Sequence, residues 1–306
     1  MQYYLRHYFN PDFDYLRPKP GVGEDGESSD LYSLGYVQNV IAGQLLAEVI
    51  PLEQAGAEPD PRFVLSRPVL PGGANTRVDP AYPNYLLSTS NGYVFYNSGK
   101  ITVKRLLNVR QDVSFRTGNI FFVGDMAVHG SVRSGFSVQA NNLRIMGMVE
   151  GGVARARRDL MVDGGARGGA GQHCLLDAGD KLLTPFLEKI DKIISGLSQS
   201  ITHLKAVAGH LPPDANEASR KLVRLVEQRE RIMKQRNMLW SKLYLDENYM
   251  QNCRLMVPGK VYPGVEISVG RAFMLVERPY ENVLFRLCYD DIIVEPLPPA
   301  DKGKGK

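Results

Sequence analysis

The stretch "LRIMGMVEGGVARARRDLMVDGGARGGAG", Leu143 to Gly171, decides the fold, and its end carries five glycines in twelve residues. A phosphate-binding loop would need backbone N–H groups close to the anion, a Lys-Ser/Thr pair after the last glycine, and a helix opening there. Gly171 instead leads into "QHCLLDAGD", with neither that pair nor helical periodicity. The glycines are better explained as corners. With "GNIFFVGDMAVHGSVRSGFSVQANN" before it, the region divides into segments of roughly 17 to 23 residues, each restarting on a large apolar residue, the length of one coil of a β-solenoid.

Within each segment, runs of about four residues alternate apolar and polar, which points one set of side chains inward. The inward set expected from this pattern is Val128, Val132, Phe136, Val138, Leu143, Ile145, Val149, Val153, Leu160 and Val162, with Gly164, Gly165, Gly168, Gly169 and Gly171 at corners. A coil cannot bury its inner face alone, so the pattern requires stacked neighbours.

The solenoid signal stops at residue 182. "TPFLEKIDKIISGLSQSITHLKAVAGH" opens on Thr184 and Pro185, residues suited to a helix start. Apolar residues recur at Leu183, Phe186, Ile190, Ile193, Leu197, Ile201, Leu204 and Val207 in the three-and-four spacing of a coiled coil. Asp214 and Glu217 are placed as a capping box, and a second helix is expected through Leu222, Leu225, Ile232, Leu239 and Leu243, with Arg220, Lys221, Arg224, Arg229, Arg231, Lys234 and Arg236 forming a basic face. Alternation resumes in "RLMVPGKVYPGVEISVGRAFMLV" and "NVLFRLCYDDIIVEP", so the helices read as an insertion.

The expected organisation is therefore mainly β: a Tyr-rich segment and acidic linker over residues 1–35, a small N-terminal β domain over 36–115, a parallel β-helix over 116–181 and 251–296, an inserted antiparallel coiled-coil hairpin over 182–250, and a disordered tail over 297–306. In the N-terminal domain, Asn91-Gly92 and Gly99-Lys100 mark the reversals of a three-stranded meander, because Asn and Gly accept the positive φ of hairpin turns.

The 306 residues carry a net charge of +4, with the acid concentrated in "GEDGESSD" (Gly23–Asp30) and the base in the middle of the chain. Cys174, Cys253 and Cys288 are odd in number and lack C-x-x-C spacing, so neither a disulfide framework nor a zinc site is indicated. With no leader-like start and no apolar run of membrane-spanning length, the reading is a protein of the reducing cytoplasm without membrane insertion.

The order "GQLLAEVIP", "NGYVFYNSGKITV", "GNIFFVGDMAVHGSVRSGFSVQANNLRIMGMVEGG", a helical hairpin and then "VPGKVYPGVEISVG" resembles the flagellar assembly protein A family, formerly known only as a bacterial domain of unknown function. The resemblance spans about residues 36 to 295. It implies a right-handed parallel β-helix with a helical insertion, a bacterial cytoplasmic location and a non-catalytic role in flagellar assembly or cell-pole organisation. It implies no catalytic residues, cofactor or metal. The sequence departs from the family where "NNL" and "RRDL" replace a Gly-Gly-Asp/Asn corner.

These residues leave three functional classes. A scaffold would bind protein partners, with Arg155, Arg157, Arg158, Arg167, Arg224 and Arg231 as candidate partner-binding residues and a second copy of the chain as one candidate partner, since solenoid ends expose strand edges. An anionic-surface or nucleic-acid binder would use the same arginines, although the scarcity of interleaved aromatics gives stacking little support. A carbohydrate-active enzyme would need Asp125, Glu150, Asp159, Asp163 or Asp177 to converge on one face. The neighbours His173 and Cys174 fall on opposite faces of a strand and so do not form a nucleophilic pair.

Overall fold

The computed structural model describes residues 2–14, 35–56, 58–169, 171–179, 183–208, 221–233 and 252–297. Its first eight strands are β1 (Tyr3–His7), β2 (Asn39–Val40), β3 (Leu45–Pro51), β4 (Val64–Leu65), β5 (Thr76–Val78), β6 (Tyr85–Ser88), β7 (Gly92–Asn97) and β8 (Lys100–Lys104). They form two antiparallel sheets, ordered β4-β1-β3-β6-β5 and β2-β7-β8.

The Tyr-rich opening is therefore part of a sheet. Leu5 is buried in it, and Asn10 and Gln38 hold the following turn by exchanging two hydrogen bonds, of 2.7 and 3.0 Å. Between β7 and β8 the chain reverses at Ser98 and Gly99, both at positive φ, one residue before the expected Gly99-Lys100. Asn91-Gly92 behaves differently from the expectation. It carries the chain from one sheet to the other, because β6 pairs with β3 and β5 while β7 pairs with β2 and β8. Gly92 is needed there for close approach: a Cβ would collide with the Lys104 carbonyl.

The solenoid comprises β9 (Leu106–Val109), β10 (Ile120–Phe121), β11 (Asp125–Val128), β12 (Ser137–Ala140), β13 (Leu143–Ile145), β14 (Val149–Glu150), β15 (Val153–Ala156), β16 (Leu160–Val162), β17 (Gly165–Arg167), β18 (Cys174–Ala178), β19 (Arg254–Val261) and β20 (Val265–Val269). All pairings among them are parallel. Three columns of side chains fill the interior. Leu107, Met126, Leu143, Leu160 and Leu255 stack on one side. Ile120, Val138, Ala154, Leu176 and Ile267 stack on the second, and Val113, Val132, Val149, Ala166 and Val261 on the third. Every one of these residues is buried, and burying a Val or Leu side chain contributes about 1.5–3 kcal/mol.

The solenoid begins at Leu106, ten residues before the expected boundary of 116, because β9 already pairs in parallel with β11. Two members of the expected inward set are also displaced. Val153 is only half-buried, since β15 turns Ala154 and Ala156 inward, and Phe136 packs against the core from its margin. Small alanines fill the interior where the alternation predicts Val153.

Glycine stacking defines one corner. A Cβ on Gly147 would lie 2.6 Å from the Gly130 carbonyl oxygen, one on Gly164 the same distance from that of Gly147, and one on Gly259 equally close to the carbonyl carbon of Gly164. Gly165 adds a positive φ of +94°. Gly168 has neither constraint: its nearest neighbour would be 4.0 Å away. The "NNL" and "RRDL" corner is tied by side chains instead. Asp125 Oδ1 accepts from the amides of Asn141 and Asn142, Asn142 Oδ1 accepts from the Asp159 N–H, and Asp159 Oδ1 accepts from the Arg254 N–H.

Neither end of the parallel stack is bare. At the first coil, the Asn39 side chain donates to the Phe121 carbonyl and accepts from the Val123 N–H, while Tyr36, Val37 and Tyr93 pack on the core. At the last, β21 (Ala272–Leu275) runs antiparallel to β20, β22 (Tyr280–Cys288) runs antiparallel to β19, and β23 (Asp291–Pro296) runs antiparallel to β22.

Residues Lys181–Glu247 form a separate compact unit. It contains helix α1 (Leu183–Ala208) and a second helix, α2, over residues 221–233. On α1 the sheltered stripe is Ile190, Ile194, Leu197, Ile201 and Leu204, in heptad spacing. Ile193, expected in that stripe, is 53% exposed. On α2, Leu222, Leu225 and Ile232 are half-buried. The expected capping box and the expected continuation through Leu239 and Leu243 lie outside the described residues.

Candidate interaction surfaces

The outer surface of the solenoid is charged, and its charges are arranged coil by coil. Asp112, Arg133, Glu150 and Arg167 form a ladder on one side: Arg133 bridges Asp112 (2.7 Å) and Glu150 (2.6 Å), and Arg167 reaches the other Glu150 oxygen at 2.7 Å. Arg133, Glu150 and Arg167 are 17 residues apart, so the one-coil spacing itself brings opposite charges together. Partial burial disfavours the Glu150 charge, but the two guanidiniums outweigh this and hold its carboxyl below the usual range. The Asp112 carboxyl is held low chiefly by the Ser131 N–H, with Arg133 adding to it.

The same arrangement recurs elsewhere. Arg144 pairs with Asp163 at 2.9 Å, Arg254 with Asp159, and Arg155 lies 3.7 Å from Asp177. The acids that an enzyme would have to gather are thus spread around the coil. Asp159 precedes β16, Asp163 follows it, and Asp177 lies on β18 in a different sheet. Each faces an arginine from a neighbouring coil. Among the described residues, no group of three or more His, Cys, Asp or Glu is placed to hold a metal ion.

His173 is exposed, with Nδ1 at 2.9 Å from Glu266 Oε1, whereas Cys174 is buried. Burial pushes both the Cys174 and Cys253 thiols up to about 11, which keeps them protonated and poorly nucleophilic at neutral pH.

The parallel columns, the one-coil charge spacing and the glycine corner together describe one recurring unit, and that unit agrees with a known family. Residues 105–211 match the family model described as the Flagellar Assembly Protein A beta solenoid domain. No curated protein and no solved structure gave a match. The flagellar assembly protein A match begins one residue before β9 and runs through the four coils that precede the helices, then along α1.

The six arginines proposed as partner-binding are distributed unevenly relative to that match. Arg167 belongs to the charge ladder, Arg155 lies on the central strand β15 and the half-buried Arg157 directly follows that strand. Arg158 is exposed at the corner before β16. Arg224 and Arg231 lie on α2, two helical turns apart and hence on one side of it, beyond the matched residues. The residues that sequence reading missed are Asp112 and Glu150 as partners of Arg133 and Arg167. Opposite charges separated by one coil length were the signal.

A Cβ on Gly179 would lie 3.3 Å from Cys253 Sγ, so the last described residue before the insertion and the first coil residues after it are side by side. Pairing then resumes in step, with Leu160 opposite Leu255 and Ala178 opposite Val269. No helix among the described residues is long and apolar enough to cross a membrane.

Proposed function

We propose that this chain is a non-catalytic, cytoplasmic scaffold for flagellar assembly or cell-pole organisation, and that it works by docking protein partners through its helical insertion. The observation that carries this reading is the flagellar assembly protein A match, which falls on a stack of coils whose outer charges are satisfied by one another. On that side of the stack the charges of Arg133, Glu150 and Arg167 offset one another. A β-solenoid whose coil resumes in register after the insertion is suited to hold that insertion without being altered by it.

The two other readings have less support. An anion binder needs guanidiniums available to phosphates, yet Arg133, Arg144, Arg167 and Arg254 each face a carboxylate. An enzyme of the carbohydrate-active type needs convergent acids, and Asp159, Asp163 and Asp177 point from different places on the coil.

The test is affinity capture from a nuclease-treated bacterial lysate with the intact chain and with one whose residues 182–250 are replaced by a short loop. The scaffold reading expects a flagellar or polar protein on the intact chain and its loss from the shortened one. Retention of nucleic acid alone, falling steeply with salt, would replace it with the anion-binding reading. A deletion strain that assembles flagella normally would remove the flagellar assignment.

A further inference from the structure

The two outermost antiparallel strands at the C-terminal end of the solenoid differ in how their free edges are protected. β23 ends its sheet with Asp291, Glu295 and Pro296, and Glu295 is tied to Arg286 at 2.7 Å. Charge and proline are the usual means by which an edge strand is kept from pairing with another chain. At the start of the stack, β10 is only two residues long and is covered by Asn39. β21 has no such protection. Among the described residues it ends the six-stranded sheet and pairs with β20 alone, and its sequence Ala-Phe-Met-Leu has neither charge nor proline.

The side chains of this edge alternate strictly. Ala272, Met274 and Val276 face the core, while Arg271, Phe273, Leu275 and Glu277 face outward. Phe273 is 63% exposed and Leu275 52%. The backbone alternates too. The Val276 N–H donates to Val265 and its carbonyl accepts from Gly264, so the amides of residues 276, 274 and 272 serve β20, and those of Phe273 and Leu275 are directed to the open side. β23 comes near β21 without pairing with it.

We infer that β21 is a self-association edge, pairing antiparallel with β21 of a second copy about a two-fold axis at Met274. The occupant is set by the sequence of the edge itself. In a register centred on Met274, Phe273 faces Leu275 of the other copy and Arg271 faces its Glu277, and the two-fold repeats both pairs. The same register makes Phe273 and Leu275 a hydrogen-bonded pair, which uses the amides directed to the open side. Opposite charges directly across a sheet are favourable and like charges are not, so the row Arg-Phe-Leu-Glu complements its own reverse. Arg271 also holds Asp290 through Nε at 2.6 Å and donates from Nη2 to the Tyr289 carbonyl at 3.3 Å, which leaves Nη1 to donate to a second carboxylate. A two-fold interface of this kind closes on itself and yields a dimer, not a filament.

This inference does not depend on the flagellar reading. Sedimentation velocity of the full chain over a wide concentration range is the test, with the thermal midpoint of each variant confirming that it folds. The intact chain is expected to dimerise. Leu275→Lys should weaken the dimer by roughly tenfold or more, and Glu277→Arg should weaken it by placing Arg opposite Arg271. The double variant Arg271→Glu/Glu277→Arg should restore it, because the pair is exchanged and the register kept. A chain that is monomeric throughout, a dimer indifferent to Leu275→Lys, or a double variant no better than Glu277→Arg alone would each overturn the inference.

Discussion

The solenoid and the N-terminal sheets are both all-β, yet they bury their cores differently. In the solenoid each strand pairs with the equivalent strand of the next coil, and the interior is built mainly from aliphatic columns such as Val113, Val132 and Val149. In the N-terminal sheets, strands from distant parts of the sequence meet, and one margin of the core holds a titratable ring. His7 packs edge-on against Phe9, Phe63 and Tyr96, with ring centroids 5.3, 4.4 and 5.5 Å away. A stack of like units is sensitive to side-chain volume at its corners. The mixed core is sensitive to pH.

The largest expected effect breaks the stack. Gly164→Ala puts a methyl group against the backbone of Gly147, which cannot swing aside as a side chain can. The substitution should cost about 3 kcal/mol and expose the neighbouring coils to hydrogen exchange. Gly168→Ala, four residues away and free of both constraints, should change stability by no more than about 0.5 kcal/mol. Equal effects at the two positions would remove the stacked corner as the reason for glycine.

An intermediate effect belongs to the other region. Burial lowers the His7 pKa from 6.5 to about 4. The unfolded chain therefore takes up a proton that the folded one refuses between those values, and stability is complete above pH 6.5 and falls as the pH drops toward 4. Because the ring is partly exposed, the loss is roughly 1–2 kcal/mol. Hydrogen exchange at pH 7 and pH 4.5 should show β1 and β3 loosening while the solenoid holds, and His7→Gln should remove most of the difference.

The smallest effect tests the charge ladder. The Glu150 carboxyl is held below its ordinary 4.5, so its contribution is complete above that pH and is lost as the pH falls through the lowered value. Exposure limits the contribution to about 1 kcal/mol or less. Glu150→Gln should slightly lower the thermal midpoint at neutral pH and flatten its acid dependence. A loss of several degrees in the solenoid would mean that the ladder, and not the aliphatic columns, holds the coils together.

The same difference explains what the sequence disclosed. Inter-coil neighbours recur at a nearly constant spacing, so Val132, Val149 and the glycine corner can be found by counting. Val153 misleads because an apolar residue can sit outside where alanine suffices within. The N-terminal sheets offer no such period: β1 finds β3 some forty residues on, and Asn91-Gly92, a hairpin signal by local chemistry, joins two sheets because Gly92 must clear the Lys104 backbone. The ladder partners of Arg133 and Arg167 are legible in principle, since both lie one coil from Glu150, but runs of charge along the chain do not reveal them.

The long interruption of the stack between Ala178 and Arg254 also sets the order in which the chain can be assembled. Leu143 and Leu160 meet after 17 residues, whereas Leu160 and Leu255 meet after 95. Closing the longer loop as a flexible chain costs about 1.5 kcal/mol more in entropy. Among the coil-to-coil strand pairings of the described residues, those of the final coil are therefore the non-local ones. The rate at which the last coil docks therefore depends on the conformation of the intervening residues and not on the coil sequence alone.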